Sequence, residues 1–298
     1  MADQHPGQVQ THGSRTAELV AVSRARHLLR HKPPYIFHDP FAFRFLSKRW
    51  KRILGSRLRD AFVSKIVLRR LMPITTQPLT RARFTEDCLL AAIEDGVGQY
   101  VILGSGYDTF ALRHPRLDVT IYEIDLASTI ALKRERAEAA GLALPDSLRL
   151  IPIDFEKDDL ADRLIAHGFA PEKRSFFNWL GVTYYLSRDA IQDTMNKVAG
   201  ITCPGSEIVF DYLAETNSIP EEERSLAVRM KNYVGRLGEP MITSFDPAAV
   251  ETDFNAGGKW DVVRNDSPAD QQKRYVEGRG DVYALPPLFW CLHLRRRG

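Results

Sequence analysis

The chain changes its hydrophobic rhythm near residue 97, and that change constrains the fold more than any other feature of the sequence. Downstream, short apolar runs at 100–103, 119–122, 148–153, 176–180 and 208–210 are separated by helical segments. The segment 127–140 reads as a helix stopped by Gly141, a residue suited to the left-handed position after a helix. Another helix begins after Ser187, which can cap its first turn, and carries Ile191, Met195 and Val198 on one face. Strands alternating with helices of roughly 10–15 residues predict an α/β fold with a mostly parallel, doubly wound sheet. The apolar stretch 288–294, behind Pro286 and Pro287, reads as a closing strand.

Upstream the rhythm is helical. Ala21, Val22, Ala25, Leu28 and Leu29 share one helix face, and Pro33 and Pro34 end that helix. Residues 44–70 set ten lysines and arginines against a single acid, Asp60, with Ile53, Leu58 and Phe62 among the interleaved apolar residues. That pattern predicts one or two amphipathic helices with a cationic side: a solvated cap first, then an anion-attracting surface for an acidic substrate, and last a membrane or nucleic-acid surface. The expected organisation is a flexible polar tail over 1–14, a helical cap over 15–95 and a sheet-based core over 96–298.

Composition narrows the function classes. With 44% hydrophobic and 27% charged residues, the chain is neither disordered, collagen-like nor a disulfide scaffold. A formal net charge of +3 gives no polyelectrolyte character, so no nucleic-acid partner is expected. Cys88, Cys203 and Cys291 lie too far apart for a CxxC pair, and the eight histidines fall in no ligand motif, so no metal site is expected. No apolar run reaches the ~18–20 residues that span a bilayer, and residues 1–13 lack the apolar core of a secretory signal. The expectation is a cytoplasmic chain without stable membrane insertion. Neither a G-x-S-x-G elbow nor a Walker loop occurs.

The first strand runs directly into Gly104-Ser105-Gly106. Glycines there let the backbone turn tightly and approach a ligand. Glu123 lies nineteen residues beyond Gly104, and Asp125 nineteen beyond Gly106. An acid at that offset can accept hydrogen bonds from ribose hydroxyls held over the turn. The third glycine of the dinucleotide fingerprint is replaced by Thr109. S-adenosylmethionine has a ribose and an adenine but no phosphate, so it needs the turn and the acid without the third glycine. It is therefore favoured over a nicotinamide dinucleotide. Asp154 and Phe155 follow the strand 148–153, where a carboxylate can accept from an adenine amino group and a ring can cover the adenine face. The alternatives are a nicotinamide-dependent oxidoreductase using the same turn, and a non-enzymatic binding module with a basic helical face.

The ordered set Val101-Ile102-Leu103-Gly104-Ser105-Gly106-Tyr107-Asp108-Thr109, Glu123-Ile124-Asp125, Asp154-Phe155 and Gly181-Val182-Thr183-Tyr184-Tyr185-Leu186 resembles the leucine carboxyl methyltransferase family. That family includes protein phosphatase methylating enzymes, many actinobacterial relatives and the tetracenomycin-type polyketide O-methyltransferases. The likeness extends upstream to Thr16-Ala17, His38-Asp39-Pro40-Phe41-Ala42 and Arg81-Ala82-Arg83-Phe84, and so covers nearly the whole chain. It implies a class I methyltransferase, Rossmann-like and doubly wound, with an N-terminal helical cap. By the same likeness Arg81, with Arg83 as a neighbouring candidate, holds the cofactor carboxylate. Gly104 and Gly106 lie in the loop beneath the cofactor, Asp125 binds the ribose, and Asp154 and Phe155 contact adenine.

One position departs from the family pattern. Leu180 stands where many members carry a glutamate that meets the cofactor's ammonium. Leucine cannot accept a hydrogen bond, so another acceptor, such as a backbone carbonyl, must serve. The form Trp179-Leu180-Gly181-Val182-Thr183 is more like the bacterial small-molecule branch than the enzymes acting on proteins. The expected reaction is O-methylation of a small molecule, on a carboxylate or a phenolic oxygen, in secondary metabolism. A carboxylate acceptor is ionised at neutral pH and needs no base, whereas a phenol would be helped by one. No acid–base pair stands out. Asp211 is a candidate base, and Tyr184, Tyr185 and Tyr212 can line the acceptor pocket.

Overall fold

In the computed structural model, which describes residues 6–66, 72–155, 157–236, 240–255, 258–279 and 283–298, the alternating segments become strands of one sheet. They are β1 (Gln99–Leu103), β2 (Thr120–Asp125), β3 (Leu148–Pro152), β4 (Ser175–Trp179), β5 (Glu207–Leu213), β6 (Trp260–Asp266) and β7 (Phe289–Arg296). Their order is β3-β2-β1-β4-β5-β7-β6. The pairs from β3 across to β5 are parallel, and β7 runs antiparallel to both of its neighbours. Strand order reverses at β1, which pairs with β2 on one side and β4 on the other. In open α/β sheets a crevice for ligands forms outside the carboxyl ends of the strands at such a point.

Every residue of β1 is buried. Successive side chains of a strand point to opposite faces, and β1 divides accordingly. Val101 and Leu103 join one core cluster with Ile124, Phe177 and Phe210. Tyr100 and Ile102 join the other with Phe84, Leu89 and Phe176. A sheet covered on both faces needs unbroken apolar strands rather than alternating ones, which is why β1 to β5 stand out in the sequence. Strand β6 was not among the expected strands. It pairs only with β7, mixes Trp260 with Asp261, Arg264 and Asn265, and carries an irregularity between Val262 and Arg264. An edge strand has no need of a continuous apolar run.

Helices α1 (Pro6–Arg30), α2 (Lys48–Leu54), α3 (Arg57–Ile66) and α4 (Met72–Glu94) precede the sheet. Helix α1 starts at Pro6, so residues 6–14 extend a helix instead of forming part of the loose tail expected there. Proline fits a first helical turn, where its missing N–H has no partner to lose, and the next proline is Pro33. The expected tail residues 1–5 lie outside the described residues, as do Arg69 and Arg70 of the basic stretch. Asp60, the acid of that stretch, is buried and takes Arg26 at 3.0 Å and Arg30 at 2.8 Å from α1.

The remaining helices are α5 (Phe110–Arg113), α6 (Ala127–Ala139), α7 (Leu160–Ala166), α8 (Arg188–Gly200), α9 (Glu221–Arg236), α10 (Val250–Phe254) and α11 (Pro268–Tyr275). Gly141 ends α6 at φ +64°, with its N–H on the Glu138 carbonyl and the Leu142 N–H on the Ala137 carbonyl, both at 2.9 Å. Ser187 caps α8 by accepting from the Ala190 N–H. Among the described residues no helix is long and apolar enough to cross a membrane.

Glu123 of β2 and Lys133 of α6 form a fully buried ion pair, and the Lys133 ammonium also donates to the Asp108 carbonyl at 2.7 Å. Burial pushes the Glu123 pKa up to about 7 against the pull of Lys133. A carboxyl whose folded pKa is raised contributes stability below its unfolded pKa and loses it as pH rises through the folded value. Replacing Lys133 with Met removes the counter-charge and raises that pKa further. The expected cost at about pH 8 is about 3–5 kcal/mol, as for a broken buried pair, shrinking toward about pH 5 as Glu123 takes its proton. Urea unfolding of Lys133→Met and wild type at both pH values checks this; a loss independent of pH would refute it.

Candidate active site

A cavity of about 830 Å³ opens over the carboxyl ends of β1, β2 and β4. Thr16, Ala17 and Val20 of α1 and Pro78, Arg81 and Ala82 of α4 form part of its wall. The cap is therefore a side of the site and not a separate body.

The glycine loop is its floor. Gly104 sits at φ +75° and Gly106 at φ +51°, conformations that other residues adopt only with strain. Gly106 has a second reason to be glycine, because a Cβ there would lie 3.0 Å from the Ala17 Cβ, so α1 rests directly on the loop. Asp125, at the end of β2, holds the loop's shape. Its carboxylate accepts from the Gly106 N–H at 2.7 Å and the Leu126 N–H at 2.8 Å. Burial raises the Asp125 pKa, while those amides and the Thr129 hydroxyl pull it down. These donors take three of the roughly four acceptor positions of a carboxylate, which leaves one for a ligand hydroxyl. Glu123, the other acid at nucleotide spacing, is sealed against Lys133 and does not line the cavity.

Arg81 is held from behind. Its Nη1 donates to Asp211 Oδ2 at 2.9 Å and to the Tyr184 hydroxyl at 3.1 Å. Asp211, in the middle of β5 and fully buried, also accepts from Gln77 Nε2 and from the Gly181 N–H, both at 2.6 Å. Burial pulls the Arg81 pKa down, but the Asp211 charge and the Tyr184 hydroxyl outweigh it, so the guanidinium is firmly cationic. A Cβ at Gly181, which sits at φ +77°, would lie 2.8 Å from Arg81 Nη2, so glycine is what lets the arginine lie flat on this turn.

The structure thus brings Arg81, Gly104, Gly106 and Asp125 together around one cavity. It places other expected residues elsewhere. Arg83 faces outward and pairs with Asp87 at 2.7 Å. Asp154 and Phe155 are not on the cavity wall: Lys157 meets the Asp154 carboxylate at 2.6 Å, and the Phe155 ring is 47% exposed. Tyr184 stands behind Arg81, while its neighbour Tyr185 reaches the wall. Tyr212 is fully buried between Phe245 and Trp290, and its hydroxyl donates to Asn265 at 2.9 Å, so it cannot line an acceptor pocket. Asp211, the candidate base, has both oxygens committed to Arg81, Gln77 and Gly181 and acts as an anchor.

Sequence reasoning missed Asn178 and Arg24 on the wall. A polar residue inside the buried run 175–179 was the available signal for Asn178. Arg24, spaced with the apolar face of α1, pairs with Asp39 at 3.3 Å and donates to the Tyr107 carbonyl at 2.8 Å. Among the described residues no cluster of three His, Cys, Asp or Glu is placed to hold a metal ion.

Comparison with known proteins bears directly on this geometry. The sequence profile of the leucine carboxyl methyltransferase family matches residues 17–199. The chain belongs to that family. YktD of Bacillus subtilis, provisionally named an S-adenosyl-L-methionine-dependent methyltransferase, is 31% identical over 285 residues, covering 90% of this chain and 93% of its own. A Mycolicibacterium gilvum protein with the same provisional name is 28% identical over 239 residues, with 74% and 75% of the two chains covered. A provisionally named methyltransferase of Thermobifida fusca shares the fold, with a TM-score of 0.57 and 15% identity over 95% of this chain and 94% of that one. The protein is a class I methyltransferase, and the cofactor expected from its glycine loop is the one for which its relatives are named.

The cavity suits that cofactor. Gly104 and Gly106 leave the floor open, Asp125 keeps an acceptor position for a sugar hydroxyl, and Arg81 offers a fixed cation for a carboxylate. Two buried polar atoms on the wall, Ser105 Oγ and Asn178 Oδ1, have no hydrogen-bond partner among the described residues. Removing the Asp125 carboxylate should weaken the cofactor product. A hydrogen bond to a charged group is worth about 1.5–3 kcal/mol, so Asp125→Ala is expected to lower adenosylhomocysteine affinity roughly 10- to 150-fold. Calorimetric titration of the folded variant measures it, and unchanged affinity would remove Asp125 from the sugar site.

Proposed function

We propose that this protein transfers the methyl group of S-adenosylmethionine to an oxygen of a small cytoplasmic acceptor in secondary metabolism, and that the oxygen belongs to a carboxylate rather than a phenol. The observation that carries this reading is the cavity wall made by Leu180, Val182, Tyr185, Pro240 and Ile242. It is apolar apart from one phenol, and the nearby carboxylate of Asp211 is already consumed by Arg81 and Gly181.

The bound cofactor supplies an electrophilic methyl on a sulfonium. The chain's own residues do the rest. Asp125 and the glycine loop orient the nucleoside, and Arg81, locked by Asp211 and Tyr184, fixes the amino-acid tail. The apolar wall keeps water from the acceptor. An anionic oxygen and a sulfonium lose their charges as they react, so a dry, weakly polar wall favours their approach by strengthening their attraction. A carboxylate needs no proton removed, and alignment alone can contribute about 7–11 kcal/mol to lowering the barrier.

Three measurements test the proposal. Adenosylhomocysteine should raise the melting temperature and NAD should not; the reverse would restore the oxidoreductase reading. Methyl-labelled cofactor incubated with a panel of carboxylic acids and phenols should give a product whose label is released as methanol by alkali, the mark of an ester. Because carboxylates ionise with a pKa near 4 and phenols near 10, kcat/KM with the acceptor should stay flat across the neutral range. A base-stable product, with a rate climbing as pH rises, would assign the phenol instead.

A further inference from the structure

The cofactor's amino-acid tail carries an ammonium as well as a carboxylate. Leu180, at the position where the family resemblance implies an acid for that ammonium, lines the cavity, and its side chain offers no acceptor. Two residues earlier on β4, Asn178 is 5% exposed and lines the same cavity. Its Nδ2 meets the Tyr100 hydroxyl at 2.8 Å, and its Oδ1 has no partner among the described residues. The Tyr100 hydroxyl holds the carboxamide in place from below and is compatible with either of its ends. Tyr100 is fully buried and packs edge-on against Phe110 and Phe176. Burial also pushes its pKa well above the usual phenol value, so it stays neutral and can both accept and donate; a ligand ammonium, which only donates, selects the orientation that leaves Oδ1 for it. A buried acceptor left without a donor is costly to a fold. One that persists on a cavity wall marks a place where a ligand donor belongs.

The placement identifies the donor. Asp125 ends β2, β1 lies between, and Asn178 lies in β4. A nucleoside whose sugar sits at Asp125 therefore extends its tail across β1 toward β4. Gly181, three residues beyond Asn178, is covered by the Arg81 guanidinium. The carboxylate and ammonium of an α-amino acid hang from one carbon, so a cation for the first and an acceptor for the second must lie close together. Arg81 and Asn178 line one cavity and meet that requirement.

We propose that Asn178 Oδ1 accepts from the cofactor's ammonium and takes the place of the carboxylate that Leu180 cannot provide. This rests on the cofactor reading of the cavity. Asn178 then sets selectivity for the amino-acid end of the ligand through a neutral dipole, while Arg81 and Asp211 already balance each other's charge.

The test compares three ligands by calorimetric titration: adenosylhomocysteine, its desamino analogue, and methylthioadenosine, which lacks the amino-acid tail. Asn178→Leu should weaken adenosylhomocysteine roughly 10- to 150-fold, the range for a hydrogen bond to a charged group, and leave the other two unchanged. Asn178→Ala carries the same expectation and serves if the leucine variant does not fold. Equal weakening of all three ligands would make Asn178 a structural residue, and no weakening of any would remove it from the site; either overturns the proposal. If the wild-type protein binds none of the three, the cofactor reading itself has failed, which is a different result.

Discussion

The buried contact between Arg81 and Asp211 is the constraint around which the site is arranged. It joins α4 of the cap to β5 of the sheet, with the side chains 9% and 0% exposed. Two charges taken out of water repay their desolvation only when their other hydrogen-bonding positions are filled. For Asp211 they are: it also takes Gln77 from α4 and the Gly181 N–H from the turn after β4, while Tyr184 accepts from Nη1 of the arginine. One carboxylate thereby fixes the arginine, the turn that carries Val182, and the register of the cap over the sheet. A carboxylate so occupied is a poor proton acceptor, and its position near the cavity reflects what it holds in place.

The cap is docked in the same manner at other points. Arg24 meets Asp39 and the carbonyl of Tyr107, just past the glycine loop. Arg136 of α6 meets Glu18 of α1 and lies over the Tyr107 ring. Ala17 touches the loop itself at Gly106. A helix held this way closes one side of the cavity with its backbone near the cofactor floor, so the second glycine serves the helix as much as the ligand. The basic stretch after residue 44 fits the same logic. Its acid, Asp60, is turned inward to two arginines of α1, and Arg52, Arg57 and Arg59 remain exposed.

Much of this was legible in the sequence because parallel strands covered on both faces must be apolar throughout. The runs that became β1 to β5 announced themselves, and so did the glycine turn between β1 and the next helix. What stayed hidden had physical causes. Edge strand β6 is polar because only one side of it is paired. Spacing alone could not separate Glu123 from Asp125, since residues two apart on a strand share a face; the difference is Lys133, which neutralises one and not the other. Tyr212 and Tyr184 look alike in sequence, but one hydroxyl is spent on Asn265 and the other on Arg81. Asp154 and Phe155 follow the expected strand, yet local bonds to Lys157 and Asp158 hold that turn together away from the cavity wall.

A leucine at position 180, where the family resemblance implies an acid, becomes intelligible against this background. A carboxylate there would add a third anion to the wall that already carries Asp125 and Asp108, where each buried charge must be matched to avoid a desolvation penalty. The cations on that wall are already assigned: Arg81 to Asp211 and Arg24 to Asp39. A leucine avoids the unmatched charge and widens the apolar surface, and Asn178 retains an acceptor at the base of the cavity without adding one. On the proposed reading, the wall has a polar floor for a charged cofactor and an apolar flank for a desolvated anionic acceptor. Methyl transfer between oppositely charged partners asks for that division, because the interactions that hold the reactants are electrostatic while the step itself removes the charges.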